Sequence, residues 1–99
     1  MYGTIARIRI QAGREKEALT LLREWERERR PVAEGAQDGY LFRPDREAGT
    51  AYLVAMFHDE ASYRKNADDP EQDAWYQRFR ALLEADPEWN DGIFESSAS

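Results

Sequence analysis

The segment from Ala51 to Phe57 constrains the fold of this chain more than any other feature. Its seven residues, Ala-Tyr-Leu-Val-Ala-Met-Phe, are all apolar. A run of this length bounded by turn-forming residues is typical of a β-strand. The side chains of a strand alternate between two faces, so an apolar residue at every position indicates that both faces are buried. Any architecture for this chain must therefore cover the strand on both sides.

A strand and a helix are predicted near the start of the chain. Residues 2–10 alternate in character and predict a first strand, with Arg7 and Arg9 on one face and apolar residues on the other. The next apolar residues recur at helical spacing and predict a helix that ends at Pro31. They are Ala18, Leu21, Leu22 and Trp25. The charged run 26–30 is expected to be a solvated face of this helix.

The middle of the chain predicts a β-hairpin. Residues 35–38 have the composition of a loop, and residues 39–43 predict a second strand. Residues 44–49 contain Pro, Asp and Gly, which favour turns, and they lead into the apolar strand at Thr50. Two strands joined in this way are expected to pair with each other.

Helical segments follow the hairpin. Asp59 is a favourable N-cap for a short helix. Asp69, Pro70 and Gln72 supply a cap, a first helical residue and a capping partner for a second helix, which is expected to stop at Pro87. The apolar stripe of that helix consists of Trp75, Phe79, Leu82 and Leu83, with Tyr76 beside it.

A last short strand is predicted within residues 89–95. The order of elements is then strand, helix, strand, strand, helix, strand. This order is that of the ferredoxin-like βαββαβ fold, an α+β architecture with an antiparallel sheet and helices on one face. We expect one domain over residues 1–95 and a disordered tail at residues 96–99.

Helices on one side of the sheet leave the other side of the apolar strand uncovered. Monomers rarely tolerate an exposed apolar patch larger than a few hundred Å². The sequence therefore predicts a homodimer that packs through the sheet face around a two-fold axis. Arg7 and Arg9 should then meet acids or backbone carbonyls near the interface. If Leu53 faces the helices, Val54 and Met56 face the partner.

The composition excludes several classes of function. Twenty acidic residues against fourteen basic ones give a net charge of −6, which argues against a nucleic-acid partner. The chain has no cysteine, so disulfides and thiolate sites are excluded. No apolar run approaches the roughly 20 residues of a membrane span, and residues 1–4 lack the start of a signal peptide. We expect a soluble, cytoplasmic protein without a membrane partner.

Several segments carry a resemblance to a known family. They are Ala6-Arg7-Ile8-Arg9-Ile10, Ala12-Gly13-Arg14-Glu15, Met56-Phe57-His58-Asp59-Glu60, Tyr63-Arg64-Lys65-Asn66, Asp69-Pro70 and Ala74-Trp75. In these segments the chain resembles the antibiotic biosynthesis monooxygenase (ABM) family of the dimeric α/β-barrel superfamily, over nearly its whole length. The resemblance implies a dimeric α/β barrel. It also implies a small oxygenase that oxidises anthrones, quinols or similar electron-rich aromatics with neither metal nor flavin, so no cofactor is expected.

The resemblance implies a pocket between sheet and helices in which a polar group orients a phenol. Asn66 occupies a position where many relatives have a histidine, and it is the candidate catalytic residue. Its amide can hydrogen-bond a substrate oxygen but cannot act as a base. The alternative is a helix-surface or C-capping asparagine. The candidate substrate-binding residues are Tyr63, Trp75, Tyr76 and Phe79, although aromatic residues at helical spacing also form cores.

A second branch of the family opens haem oxidatively. Its members have Asn at the position of Ala6, Trp at that of Asn66 and an axial His at that of Tyr76. All three identities differ in this chain. Haem degradation is therefore not expected.

No metal site is expected. His58 is the only histidine, and its place between a strand and a helix predicts a solvated side chain. The acids among residues 68–73 suit the start of a helix and lack the spacing of a calcium loop.

Three functions remain open. The first is a cofactor-independent monooxygenase for a small phenolic, quinol or polycyclic aromatic substrate. The second is a non-catalytic dimeric protein that binds a small molecule or is structural, and the third is an isomerase or cyclase on the same scaffold. An open cavity that reaches Asn66 favours ligand binding, whereas a core closed by Trp75, Tyr76 and Phe79 favours a structural role.

Overall fold

Four strands and three α-helices are present in a computed structural model that describes residues 1–98. Their bounds are β1 Tyr2–Arg9, α1 Glu15–Glu24, β2 Ala36–Phe42, β3 Thr50–Phe57, α2 Glu60–Ala67, α3 Pro70–Arg80 and β4 Asp91–Ile93. A π-helical turn, Trp25–Arg29, continues α1. The strands form one antiparallel sheet in the order β2-β3-β1-β4. The predicted ferredoxin-like α+β fold is therefore confirmed.

The core lies between the sheet and the helices. The alternation predicted for β1 is confirmed, because Thr4, Ala6 and Ile8 are buried while Ile5 and Arg9 are not. The core cluster consists of Ile8, Ile10, Ala18, Ala51, Trp75, Phe79, Leu82 and Leu83. Burial of this apolar surface supplies the main stabilisation of the fold.

The opposite face of the sheet carries an uncovered apolar surface, which we call the sheet patch. Its members are Ile5, Tyr40, Phe42, Tyr52 and Val54. Ile5, Tyr40 and Phe42 are 43%, 56% and 57% exposed. The strand register pairs Ile5 with Val54 and Ala6 with Leu53, so Leu53 faces the helices and Val54 faces away from them.

The arginines beside the sheet patch are paired with acids of the same chain, and their predicted place near a dimer interface stays a prediction. Arg7 donates to the Glu88 carboxylate at 2.9 Å, and Arg9 donates to that of Glu84 at 3.0 Å. Both pairs join β1 to the segment that precedes β4.

The second strand begins earlier than predicted. Residues 36–38 were expected in a loop, yet β2 starts at Ala36, which pairs with Phe57 of β3. The register shifts between Ala36 and Gly39, as in a β-bulge. Pairing with the neighbouring strand therefore overrides the loop-like composition of these residues.

Helix α3 ends at Arg80, well before the predicted stop at Pro87. Leu82 and Leu83 are buried as expected, but they belong to the segment after the helix. The backbone N–H of Gln11 donates to the carbonyl of Leu82 at 2.9 Å, and Leu83 forms an isolated bridge with Ile10. These bonds to the end of β1 replace the helical ones. Strand β4 is correspondingly shorter than residues 89–95, with Asp91–Ile93 as its bounds.

The charged run 26–30 is not wholly a solvated face. Arg29 is only 9% exposed, and its guanidinium donates to Asp69 at 3.0 Å and to Glu71 at 3.2 Å. The π-helical turn puts this residue on the inner side of the helix. The prediction was wrong at this position because the helix changes its period there.

The predicted helix caps are confirmed. The Asp59 carboxylate accepts from the backbone N–H of Ser62 at 2.8 Å, and the Ser62 hydroxyl accepts from that of Asp59. The Asp69 carboxylate caps α3 by accepting from the N–H of Glu71 at 2.9 Å. Gln72 does not act as its capping partner, since its side chain bonds a tryptophan instead.

Two further expectations concern the C-terminal tail and membrane-spanning helices. Residues 96–98 lie at the surface, and Ser99 is outside the described residues, so the disordered tail stays a prediction. No helix among residues 1–98 has the length and apolar character to span a membrane.

Candidate functional site

A cavity of about 520 Å³ lies between the helix-facing side of the sheet and the helices. Its strand side includes Thr4, Leu41, Leu53, Ala55 and Phe57. Its helix side includes Leu22, Trp25, Tyr63, Asn66, Gln72, Trp75 and Tyr76. Apolar and aromatic walls with a few polar groups are typical of a site for a small organic molecule.

The tryptophan side chains lie in the wall of the cavity. All three tryptophans of the chain line it: Trp25, Trp75 and Trp89. The indole N–H of Trp25 donates to Gln72 Oε1 at 2.7 Å, and that of Trp75 donates to the Leu21 carbonyl at 2.9 Å. These bonds hold both rings in place. Trp89 is 48% exposed, so it lies where the cavity meets solvent.

The structure brings together four of the five residues that the sequence nominated. Asn66, Tyr63, Trp75 and Tyr76 all line the cavity, which is open rather than closed by aromatic residues. Phe79 is fully buried and does not line it. The Phe79 ring stacks on that of Trp75 with 5.3 Å between centroids, so it supports the wall from the core side.

Asn66 lies in the last turn of α2 with its amide group held from outside the cavity. Arg29 Nη2 donates to Asn66 Oδ1 at 3.4 Å. The backbone carbonyl of Asn66 accepts a hydrogen bond from the backbone N–H of Asp69 at 3.1 Å. Because Oδ1 is engaged by Arg29, the Nδ2 group is the part of the amide left for a ligand. That group can only donate hydrogen bonds.

A polar cluster, formed by Tyr63, Arg64 and Asp91, lines part of the cavity. The Tyr63 hydroxyl donates to Asp91 Oδ1 at 2.8 Å. Arg64 Nη1 donates to Asp91 Oδ2 at 3.3 Å, and its guanidinium lies over the Tyr63 ring. The cluster therefore ties α2 to β4.

Two tyrosines of the site are held in their neutral form. Burial raises the pKa of Tyr63 strongly, and its hydrogen bond to Asp91 raises it further. The buried Thr4 hydroxyl lies beside Tyr63 and has the opposite, smaller effect on that pKa. Thr4 Oγ1 makes no hydrogen bond of good geometry within residues 1–98. Burial also raises the pKa of Tyr76.

Residues that hold a metal ion are not clustered in the described part of the chain. Among residues 1–98 there is no group of three or more His, Asp or Glu side chains with metal-binding geometry. His58 is exposed at the junction of β3 and α2, as its sequence context predicts.

Three further lining residues were not nominated from the sequence. Trp25 was assigned to the apolar stripe of its helix, which concealed its second role as a cavity wall. Gln72 was assigned to a cap. The residues next to Asp91 in the sequence give no indication of its role, because its partners Tyr63 and Arg64 lie 28 and 27 residues away.

Comparison with known proteins identifies solved structures that have the same fold. The sequence matches no protein-family model. It also has no significant match among the curated proteins. Many solved structures, in contrast, superpose over nearly the whole chain.

SnoaB, described as a cofactor-independent oxygenase from Streptomyces nogalater, is 14% identical with a TM-score of 0.81, over 98% of this chain and 95% of that one. A protein provisionally named antibiotic biosynthesis monooxygenase, from Bordetella bronchiseptica, is 17% identical with a TM-score of 0.78, over 96% and 97%. A conserved protein from Methanosarcina mazei Go1 is 14% identical with a TM-score of 0.79, over 95% and 92%. These structures have the same fold as this chain, and the predicted resemblance is confirmed at that level.

Proposed function

We propose that this chain is a cofactor-independent monooxygenase that oxidises a small phenolic, quinol or polycyclic aromatic substrate. The observation that carries the proposal is the open, aromatic-lined cavity of about 520 Å³ that reaches the amide of Asn66. The fold shared with structures named as antibiotic biosynthesis monooxygenases supports the same activity.

The cavity suits a substrate that supplies its own reactivity. An electron-rich phenol that loses its proton can donate electrons to oxygen directly; one oxygen atom enters the aromatic system and the other leaves as water. The protein then has to orient the ring, stabilise the oxyanion and exclude water. We assign orientation to Tyr63, Trp75 and Tyr76, and oxyanion stabilisation to the Nδ2 group of Asn66.

The test is oxygen uptake by the purified protein with a panel of hydroxyanthrones and quinols, each with its spontaneous oxidation subtracted. Uptake that saturates with substrate supports the proposal. Tight binding of the panel without uptake would favour the non-catalytic alternative, and conversion without uptake would favour an isomerase or cyclase.

Asn66→Ala tests the assigned role of the amide. A hydroxylated aromatic should bind roughly five- to 150-fold more weakly, which corresponds to about 1–3 kcal/mol for a buried polar group left unpaired. The affinity of the same aromatic without its oxygen substituent should not change. Binding is measured by calorimetry, with Lys65→Ala as a control because Lys65 is exposed on the same helix. Equal losses for both ligands would contradict the assignment.

We also propose that the active form is a homodimer that buries the sheet patch. Exposed Ile5, Tyr40 and Phe42 lie on one face without cover from the chain itself. An apolar surface of this kind gains free energy when a second copy covers it. A cytoplasmic location remains part of the proposal.

A further inference from the structure

The proposed oxidation needs a proton acceptor that Asn66 cannot provide. Loss of a proton from the substrate hydroxyl precedes electron donation to oxygen, and an amide accepts no proton at neutral pH. The acceptor must therefore be another group at the cavity. Glu26, Asp38 and Asp73 line it as well, but in the described part of the chain none of them accepts a hydrogen bond from a hydroxyl group at the cavity.

Asp91 is better placed, because its carboxylate contacts a hydroxyl group that also lines the cavity. The side chain of Asp91 is 28% exposed, and its Oδ1 accepts a hydrogen bond from the Tyr63 hydroxyl at 2.8 Å. Tyr63 has a single hydroxyl proton and uses it in this bond. The Thr4 hydroxyl lies beside the Tyr63 oxygen, so one lone pair of that oxygen remains to accept a hydrogen bond from a substrate hydroxyl. Tyr63 also lies three residues before Asn66 on α2, and residues at this spacing are neighbours on a helix.

We propose that Tyr63 and Asp91 form a proton relay that deprotonates the substrate hydroxyl. The O–H bond of the substrate breaks as a new O–H bond forms on Tyr63, while the original Tyr63 proton moves to the Asp91 carboxylate. The products of this step are a substrate phenolate and a neutral Asp91 carboxyl group, and no electrons are transferred. The relay rests on the proposed function, since it supplies the phenolate for that reaction.

The environment of the pair suits this task. The raised pKa of Tyr63 keeps its hydroxyl protonated, so the relay always has a proton to pass on. Ordinary values place a phenol about six pKa units above a carboxyl, so the transfer is uphill. The donor group of Asn66 lowers this barrier by stabilising the phenolate, and reaction with oxygen then consumes it.

The charged groups around Asp91 are few. Arg64 faces it from α2 at 3.3 Å, and the same guanidinium meets the Tyr2 hydroxyl of β1 at 3.1 Å. Glu60 lies 3.6 Å from Arg64 on the outer side. Removing the Glu60 carboxylate therefore perturbs the surroundings of Arg64 without touching the relay, which makes it the matched control.

The test compares oxygen uptake by the wild type, Tyr63→Phe, Asp91→Asn and Glu60→Gln between about pH 6 and pH 10, with the quinols of the panel because their reactive proton is on a hydroxyl group. Near pH 7, kcat should fall by roughly 10²-fold in Tyr63→Phe and Asp91→Asn, the lower end for general acid–base catalysis, while KM changes much less. The deficit should shrink as the pH passes the pKa of the substrate, because solvent then removes the proton. Glu60→Gln should match the wild type throughout.

Two results would overturn the relay, and they are distinguishable. An active wild type whose Tyr63→Phe and Asp91→Asn variants keep both kcat and the pH profile rejects the relay and leaves the proposed function intact. A wild type without saturable oxygen uptake for the whole panel rejects the proposed function and the relay with it. Tyr63→Phe retains the ring that packs on Tyr2 and Phe57, so it decides the matter even if Asp91→Asn fails to fold.

Discussion

Arg29 is a buried cation whose partners come from a different part of the chain. Its guanidinium donates to Asp69, Glu71 and Asn66, and its Nε is buried without a partner within residues 1–98. Nothing in the run of alternating charges around it distinguishes this arginine from its neighbours. The sequence could not show which of them turns inward, because the π-helical turn that decides it is a small change in helix period.

Removing this side chain should destabilise the protein. Arg29→Ala removes the guanidinium that donates to Asp69, Glu71 and Asn66, and the expected loss is about 1–3 kcal/mol in the free energy of unfolding. Urea denaturation followed by circular dichroism measures it. Arg27→Ala, an exposed neighbour on the same turn, should stay within about 0.5 kcal/mol of the wild type. Similar losses in the two variants would show that the buried contacts of Arg29 contribute nothing of their own.

Single residues of the site were predictable to different degrees. Asn66, Tyr63 and Trp75 could be nominated because they lie in segments that carry the family resemblance, and Tyr76 because it lies beside the apolar stripe of its helix. All four line one cavity. Phe79 has the same helical spacing as Trp75, and its aromatic character gives no hint that it packs beneath that ring rather than beside a ligand.

At the scale of elements, the sequence predicts where helices begin more reliably than where they end. Asp59 and Asp69 cap their helices through local hydrogen bonds that need no tertiary context. The end of α3 depends instead on backbone bonds to Arg9, the last residue of β1, and to Gln11 just after it, which reach Glu84 and Leu82 respectively. A sequence pattern does not show such distant partners, so it predicts the end of the helix at Pro87 instead.

The cap of α2 predicts a specific acid sensitivity. The backbone N–H of Ser62, together with its hydroxyl, holds the pKa of Asp59 below its ordinary value. Because the folded pKa is the lower one, the stabilisation is complete above the unfolded value of about 4 and is lost as the pH falls through the folded value. Melting temperatures between about pH 6 and pH 2.5 should therefore decline less steeply in Asp59→Asn, which keeps a capping side chain.

A control for this prediction is Asp45→Asn, in the turn between β2 and β3. Its acid profile should follow that of the wild type. Asp69 remains in both variants, and the lowered pKa of Asp69 preserves part of the decline. Parallel profiles for Asp59→Asn and the wild type would contradict the assigned role of the cap.

The whole molecule is organised by the difference between the two faces of its sheet. Seven apolar residues in succession predicted that β3 needs cover on both sides, and helices cover only one. The strand register shows which residues of β3 the helices leave uncovered: Val54 lies beside Ile5 and Tyr40 on the face away from the helices. The sequence pattern predicts that this face is covered but does not identify what covers it, which is why the homodimer is a proposal.

Val54→Asp tests the proposed dimer. A charge at the centre of a buried apolar interface is costly, so the variant should sediment as a monomer at micromolar concentration while the wild type sediments as a dimer. Val32→Asp is the matched control, because Val32 is also exposed but lies outside the sheet. A wild type that stays monomeric at this concentration would contradict the dimer, and a dimeric Val54→Asp would place the interface elsewhere.

The placement of the three tryptophans has an optical consequence. Since Trp25, Trp75 and Trp89 all border the cavity, the entire indole emission of the protein originates around it. A guest molecule that absorbs in the near ultraviolet would quench this light by energy transfer without any attached dye. Replacing Trp89 with Phe would leave only the two inner emitters, whose quenching would then separate guests that enter fully from guests that stop at the entrance.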